Sequence, residues 1–313
     1  MATHLVTGGA GFIGSSIAEK LLAQGETVRV IDDFSTGRRS NLESMLGKLE
    51  VIEASICDAD ALRKAMVGVE VVFHEAAIPS VSRSVENPGA SMMVSVQGTT
   101  LVLEAARHAK VRRVIYAASS SAYGNTPTLP KVETMPAAPL SPYAVGKYSG
   151  ELMMRVYAHL HKMETVSLRY FNVFGPRQDP NSQYAAVIPN FITAALTGKP
   201  PVIYGDGEQT RDFCFIDNTV GANLLAAATA SKLEGQMVNL ACGDRTSLNE
   251  LARIIGEETG TSLKPSYRPT RPGDVRDSLA DVTAAKKLLG YEPKIRIREG
   301  LKQTIAAFRA FTR

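Results

Sequence analysis

Three glycines spaced three residues apart, Gly8, Gly11 and Gly14, stand between a short apolar run, His4-Leu-Val-Thr7, and an amphipathic stretch that reaches about Gln24. The order of strand, glycine turn and helix constrains this chain more than any other feature. Glycines permit a tight turn and let the backbone approach a pyrophosphate closely, which then sits at the N-terminus of the following helix. The spacing alone is common. With a strand before it and a helix after it, Gly8, Gly11, Phe12, Ile13 and Gly14 read as a dinucleotide-binding turn.

The second strand, Thr27 to Ile31, runs into Asp32-Asp33. An acid at that strand tip accepts hydrogen bonds from the adenosine ribose and repels a 2′-phosphate, which points to NAD rather than NADP. Arg38 and Arg39 argue the other way, but Asp32 stands where the ribose belongs. A third strand, Leu49 to Glu53, is followed by Asp58 at a helix start, where both an N-cap and a contact to adenine are open readings. The fourth strand, Val69 to His74, leads into Ala76-Ala77, small enough to let a cofactor pass along the strand ends. A helix over about Ala90 to Lys110, a fifth strand from Arg113 to Ala117, a helix to about His161 and a sixth strand from Thr165 to Arg169 continue the alternation. That alternation predicts an α/β fold of Rossmann type, a doubly wound parallel sheet, over residues 1–170.

After Tyr170 the texture changes. A polar loop is predicted from Asn172 to Tyr184, then shorter elements interrupted by Pro and Gly. Residues 171–313 are read as a smaller mixed α/β lobe that binds substrate. Val238-Asn-Leu240 is predicted to return to the main sheet, so the segment near 215–241 belongs with the first domain.

Two features carry chemistry. Ser119-Ser120-Ser121 follows the fifth strand, and ligands of open α/β sheets bind outside the carboxyl ends of strands. Tyr143 and Lys147 are four residues apart, one turn on a single helix face. An ammonium close to a phenol lowers its pKa from about 10 toward the working pH, so that the phenol can take and return the proton of a sugar hydroxyl. An isolated pair at this spacing is ordinary on a solvated helix; here a dinucleotide turn and a serine run precede it.

Composition removes other classes. The net charge is +4 and the basic residues are scattered, without a Lys/Arg run interleaved with aromatics, so nothing supports a nucleic-acid partner. Cys57, Cys214 and Cys242 are far apart and form no C-x-x-C, which favours reduced thiols over a disulfide or a metal site. No stretch has the length and apolarity of a membrane span or a secretory leader, and a cytoplasmic protein is expected.

With Gly8-x-x-Gly11-x-x-Gly14, the serine run and Tyr143-x-x-x-Lys147 in this order, the chain resembles the extended short-chain dehydrogenase/reductase family over nearly its whole length. It is most similar to its nucleotide-sugar 4-epimerases, the UDP-glucose 4-epimerase group, and within them to the branch acting on UDP-N-acetylglucosamine. The segments Tyr116-Ala-Ala-Ser-Ser-Ser-Ala-Tyr-Gly124, Leu140-Ser-Pro-Tyr-Ala-Val-Gly-Lys-Tyr148, Arg169-Tyr-Phe-Asn-Val-Phe-Gly-Pro-Arg-Gln178, Tyr204-Gly-Asp-Gly-Glu-Gln-Thr-Arg-Asp-Phe213 and Arg271-Pro-Gly-Asp-Val-Arg-Asp-Ser278 carry this resemblance jointly. It implies that NAD stays bound, that Ser119 bonds the sugar O4 with Ser120 beside it, and that Tyr143 is the acid/base tuned by Lys147. It further implies Asn172 at the diphosphate, Arg211, Arg271 and Asp274 on the UDP phosphates and ribose, and Val202 and Tyr204 at the uracil. Ser278 matches a position where a bulky tyrosine excludes an N-acetyl group and a small residue admits it.

The implied reaction interconverts UDP-GlcNAc and UDP-GalNAc through a 4-keto sugar, with UDP-glucose/UDP-galactose as a second pair. Relatives that dehydrate the sugar carry an Asp-Glu pair where this chain has Ser120-Ser121, and those that decarboxylate UDP-glucuronate carry a glutamate there. UDP-glucuronate 4-epimerisation is the alternative, with Arg83 or Arg177 to hold the carboxylate. A net dehydrogenase or reductase, which would release its nicotinamide product, is a second. The presence of both Tyr143 and Lys147 speaks against a non-catalytic regulator. The family resemblance also implies a homodimer.

Overall fold

The computed structural model describes residues 3–179, 186–270 and 275–311. Six strands follow one another in the first half: β1 (Thr3–Thr7), β2 (Thr27–Asp32), β3 (Glu50–Glu53), β4 (Val71–His74), β5 (Arg113–Ser119) and β6 (Glu164–Tyr170). The short strands β7 (Asn172–Phe174), β8 (Val202–Tyr204), β9 (Thr210–Arg211) and β10 (Phe213–Phe215) come next, then β11 (Glu234–Leu240), β12 (Thr246–Ser247) and β13 (Ser266–Arg268). The helices are α1 (Phe12–Ala23), α2 (Ala59–Ala65), α3 (Val81–Glu86), α4 (Pro88–Met92), α5 (Thr99–His108), α6 (Pro142–His161), α7 (Val187–Thr197), α8 (Ile216–Ala228), α9 (Leu248–Thr259), α10 (Thr283–Leu289) and α11 (Ile297–Phe311).

The main sheet has the order β11-β6-β5-β4-β1-β2-β3, and every pairing in it is parallel. Strand β11 comes from beyond residue 171 and lies on β6. Successive strand residues point to opposite faces, and two cores result. Val6, Val30, Phe73, Ile115 and Ala117 face α1 and α8; Leu5, Ile31, Val72, Val114 and Tyr116 face α2, α5 and α6. This is the doubly wound arrangement that the alternation of elements predicts. Strand order reverses between β1 and β4, and such a switch point opens a crevice at the carboxyl ends of the strands.

Two local predictions need correction. The helix expected over Ala90–Lys110 is interrupted by a π-helical turn, Met93–Gly98, between α4 and α5. That turn sets Ser95 against α6, where a β-carbon on Gly146 would lie 2.6 Å from the Ser95 side chain. The polar loop predicted from Asn172 begins with strand β7, paired in parallel with β10. Around these lie two more strand pairs, β9 with β12 and β8 with β13. Helices α7, α9 and α11 pack on one another beside them.

Candidate active site

The carboxyl ends of the central strands lie along one edge of the sheet, with β5 and β6 running three residues beyond β4. Thr7 is in register with Ile31 and His74, His74 with Tyr116, and Ser119 with Tyr170. The residues that follow these ends line one cleft of about 1080 Å³, which runs from the glycine turn to Val202, Tyr204 and Arg211.

At one end of the cleft the wall is backbone. Gly8 has φ +67°, and a β-carbon there would lie 2.7 Å from the Ala76 backbone; one on Gly14 would press into the Gly8 carbonyl. Gly11 caps α1 without a side-chain hydrogen bond, so the first-turn N–H groups of α1 are left without a side-chain partner. Phe12 and Ile13 also line the cleft, and Asp32 closes the turn by accepting from Ala10 N at 2.9 Å and from Phe34 N at 2.8 Å. Burial pushes the Asp32 carboxyl up, and these two N–H groups oppose the shift. Arg39 is spent on Glu53, at 2.5 Å, and lies over the Phe34 ring; Arg38 pairs with Asp179 at 3.6 Å. A glycine cradle, an open helix terminus and a carboxylate at the tip of β2 fit a dinucleotide with an unmodified adenosine ribose.

Asp58 is the exception among the cofactor residues named from the sequence. It is exposed, lies outside the cleft lining, and its Oδ1 accepts from Asp60 N and Ala61 N at the start of α2. Of its two open readings the structure shows the N-cap. Ser55 and Ile56, just before it, line the cleft.

In the middle of the cleft stand Ser119, Ser120, Tyr143 and Lys147. Ser141 caps α6 by accepting from Ala144 N, and Pro142 starts the helix, which fixes the phase that turns Tyr143 and Lys147 inward. Two glycines then seat the helix on the sheet. Gly146 lies against Ser95, and a β-carbon on Gly150 would collide with the Tyr116 ring. Glycine inside a helix costs up to about 1 kcal/mol against alanine, so Gly146 and Gly150 are the sequence signal of this close approach. The Ser119 hydroxyl accepts from Ser121 N at 3.2 Å and from Ser121 Oγ at 2.8 Å. Its own proton is left to donate, and it bonds the Tyr143 phenol.

The predicted influence of Lys147 on Tyr143 takes a different form. Burial pushes the Tyr143 phenol up, the Ser119 hydrogen bond lowers it, and the negative charge of Glu75 raises it. The Lys147 ammonium donates to the Ala117 carbonyl at 2.6 Å and lies over the Tyr116 ring. Burial pushes Lys147 down, and Glu75 and Glu151 act against that. In the protein by itself the Ser119 hydrogen bond works against the rise that burial gives the phenol. Nearby His74 is buried, bonded to Thr7 at 2.8 Å and Thr99 at 3.0 Å, and desolvation with the Lys147 charge pushes it down to about 3, so it is neutral.

At the far end side chains replace backbone. Asn172 Nδ2 donates to Ser278 Oγ at 3.1 Å and to the Asp212 carbonyl at 3.2 Å, and Asp212 N donates to Ser278 Oγ at 3.2 Å. The buried Asp212 carboxylate accepts from Cys242 N, Gly243 N and Ala280 N. It thus ties β7, β10 and the segments after β11 and before α10 into one unit, and nothing in its local sequence announces it. Arg211 Nη1 donates to the carbonyls of Thr210 and Arg276. Val202, Tyr204, Arg211 and Ser278 all line the cleft. Arg271 and Asp274 lie outside the described residues.

The profile of the NAD dependent epimerase/dehydratase family matches residues 4–241 of this chain. A UDP-glucose 4-epimerase of Mycolicibacterium smegmatis is 42% identical over 309 residues, covering 97% of this chain and 98% of its own. Two solved structures superpose over its length. The UDP-N-acetylglucosamine 4-epimerase of Methanobrevibacter ruminantium, in complex with UDP-N-acetylmuramic acid, gives a TM-score of 0.94 at 38% identity and covers 99% of both chains. The UDP-glucuronic acid 4-epimerase of Bacillus cereus, in complex with UDP-glucuronic acid and NAD, gives 0.92 at 32%, again covering 99% of both. On this likeness of sequence, fold and cleft, the chain belongs to the NAD dependent epimerase/dehydratase family.

Proposed function

We propose that this protein is an isomerase, an NAD-dependent UDP-sugar 4-epimerase, and that its substrates are UDP-GlcNAc and UDP-GalNAc, with UDP-glucose and UDP-galactose as a second pair. The observation that carries the reading is the meeting of Ser119, Tyr143 and Lys147 midway along one cleft, between the glycine turn and the group around Asn172 and Ser278. Gly8, Gly11, Phe12, Ile13, Gly14, Asp32 and Ala76 hold the cofactor. When bound, NAD supplies a reversible hydride exchange at C4, so that the sugar passes through a 4-keto form. The chain supplies the proton chemistry. Tyr143 takes the O4 proton, directly or through Ser119, and gives it back after the sugar has turned. Ser119 donates to the phenol and stabilises the phenolate. Lys147 sets the charge of the site and holds the nicotinamide ribose.

Asn172, Val202, Tyr204 and Arg211 hold the UDP moiety, with Arg271 and Asp274 in the same role, and Ser120 and Ser278 face the sugar. Binding energy spent on the nucleotide leaves the sugar free to present either face, which an epimerase needs. The residues divide as residues 1–170 for the cofactor, joined by the segment near 215–241, and 171–313 for the sugar nucleotide. UDP-glucuronate remains the alternative: Arg83 and Arg177 both line the cleft, although Arg177 places Nη2 on Glu19 at 2.5 Å. We also assign a homodimer built on α6, where Leu152, Val156 and Leu160 form an exposed apolar stripe four residues apart; light scattering at twice the 33.6 kDa chain mass checks it. Among the described residues no helix is long and apolar enough to cross a membrane.

The test is incubation of purified protein, without added cofactor, with UDP-GlcNAc, UDP-glucose and UDP-glucuronate separately. Formation of UDP-GalNAc supports the reading, including retained NAD. Conversion of UDP-glucuronate alone overturns the substrate and keeps the mechanism. No epimer from any of the three, with NAD then added, overturns the function.

A further inference from the structure

Glu75 follows β4 directly and lines the cleft between the cofactor turn and Tyr143. It has no place in the chemistry described so far, yet it is held with care. Tyr170, buried at the end of β6, meets Glu75 Oε1 at 2.8 Å, and Asn223, fully buried on α8, meets the Tyr170 hydroxyl through Nδ2 at 2.7 Å. The direction of this chain follows from its far end. Asn223 Nδ2 also bonds the Thr219 carbonyl at 2.9 Å, and a carbonyl only accepts. Asn223 therefore donates to Tyr170, and the Tyr170 proton goes to Glu75. Burial pushes the Glu75 carboxyl up to about 7, and the chain Asn223 to Tyr170 to Glu75 works against that by handing it a donor, which favours its ionised form.

What an anion does there follows from the groups around Lys147. Two carboxylates act on its charge, Glu75 and Glu151. Glu151 is already committed: Arg169 grips it at 2.8 and 2.7 Å, with both side chains buried. By register Glu75 follows His74, which pairs with Tyr116, and so lies beside Ala117, whose carbonyl the Lys147 ammonium meets at 2.6 Å; the Tyr116 ring and the neutral His74 lie in the same corner. Lys147 is in turn the cation whose charge acts on Glu75.

We propose that Glu75 is a positioning residue of the active site, supplying the counter-charge that keeps Lys147 an ammonium ion beside Tyr143. Burial alone pushes Lys147 down and Glu75 up, and each charge works against the other's shift. Loss of the Glu75 charge lowers the pKa of Lys147 further. The ammonium is then lost at a lower pH, and the alkaline limb of the epimerisation rate moves with it; only this kinetic consequence rests on the function proposed above.

The test is a carbon-13 NMR titration of the NAD-loaded protein grown on [6-¹³C]lysine, with the Lys147 resonance identified through Lys147→Arg. Glu75→Gln keeps an acceptor for Tyr170 and removes the charge. It should lower the Lys147 pKa by about one unit, the lower end of the range for a near opposite charge. Tyr170→Phe keeps the carboxyl but removes its donor, and should shift Lys147 in the same direction by less. It also stands in for Glu75→Gln if that variant fails to fold. The pH profile of kcat should lose its alkaline limb at correspondingly lower pH. A Lys147 resonance that titrates as in the parent protein in both variants overturns the proposal. A resonance that moves, in a protein that epimerises no UDP-sugar, supports the charge pairing and sinks the epimerase reading.

Discussion

The two ends of the cleft are built by different means. At the cofactor end the contact surface is backbone: Gly8 presses on Ala76, Gly14 on Gly8, and Asp32 holds Ala10 and Phe34 by their N–H groups. All of it derives from residues within 76 of the first, on parallel strands whose register is set by the core. At the nucleotide end the surface is side chains from separate stretches: Asn172 and Ser278, bonded to each other and to Asp212, and Arg211, which donates to the Arg276 carbonyl. A backbone surface has no alternative conformer to offer an added methyl group, whereas a side-chain surface can rearrange. The cofactor end should therefore respond to substitution in an all-or-none way, and the nucleotide end by degrees and according to substrate.

The hardest test of that contrast is Gly14→Ala. The new methyl group meets the Gly8 carbonyl, and the protein should purify without NAD and without activity; quantifying nicotinamide released on denaturation checks it. If the variant retains stoichiometric NAD, the backbone end is more yielding than the contrast allows. Between the two ends, Tyr143→Phe should keep NAD and fold yet lose activity by about 10³-fold, within the usual range for general acid–base catalysis. Single-turnover measurement of cofactor reduction locates the loss in chemistry rather than binding.

At the nucleotide end Ser278→Tyr should be graded. It fills the space beside Asn172, and overpacking of about 1–3 kcal/mol should lower kcat/KM for UDP-GlcNAc by roughly 10- to 100-fold while UDP-glucose turnover persists. Equal loss of both pairs would show that Ser278 matters through its bonds to Asn172 and Asp212, not through the space it leaves. The smallest effect belongs to Asp58→Ala. It should cost about 1 kcal/mol of stability, as loss of an N-cap does, seen as a modest fall in thermal midpoint with NAD content unchanged. A fall in NAD affinity instead would return Asp58 to the cofactor site.

Legibility in the sequence followed the same division. The alternation of strands and helices and the placement of Gly8, Gly11, Gly14, Asp32, Tyr143 and Lys147 could be read because each is a local pattern in a local element. Asp58 stayed open between two roles because an N-cap aspartate and a ligand-binding aspartate look identical in sequence; the structure shows its N-cap bonds. The π-helical turn at Met93–Gly98 was hidden because no local pattern marks it; what it packs against is Gly146 on α6, about 50 positions away. Strand β7 looked like loop because its partner β10 lies some 40 residues further on.

The sequence by itself determined the sheet, the cofactor turn and the Tyr143–Lys147 spacing, since hydrophobic period, glycine geometry and helical pitch act within a few residues. Only the tertiary structure decided what surrounds them. It made Ser119 rather than Lys147 the direct partner of the phenol, spent Arg39 on Glu53 and Glu151 on Arg169, and brought Glu75 to the cleft floor beneath Tyr170 and Asn223. Each of these depends on charge and hydrogen bonding between groups far apart in the chain. Such pairings appear only when the parallel strands have brought the ends of distant segments to one edge.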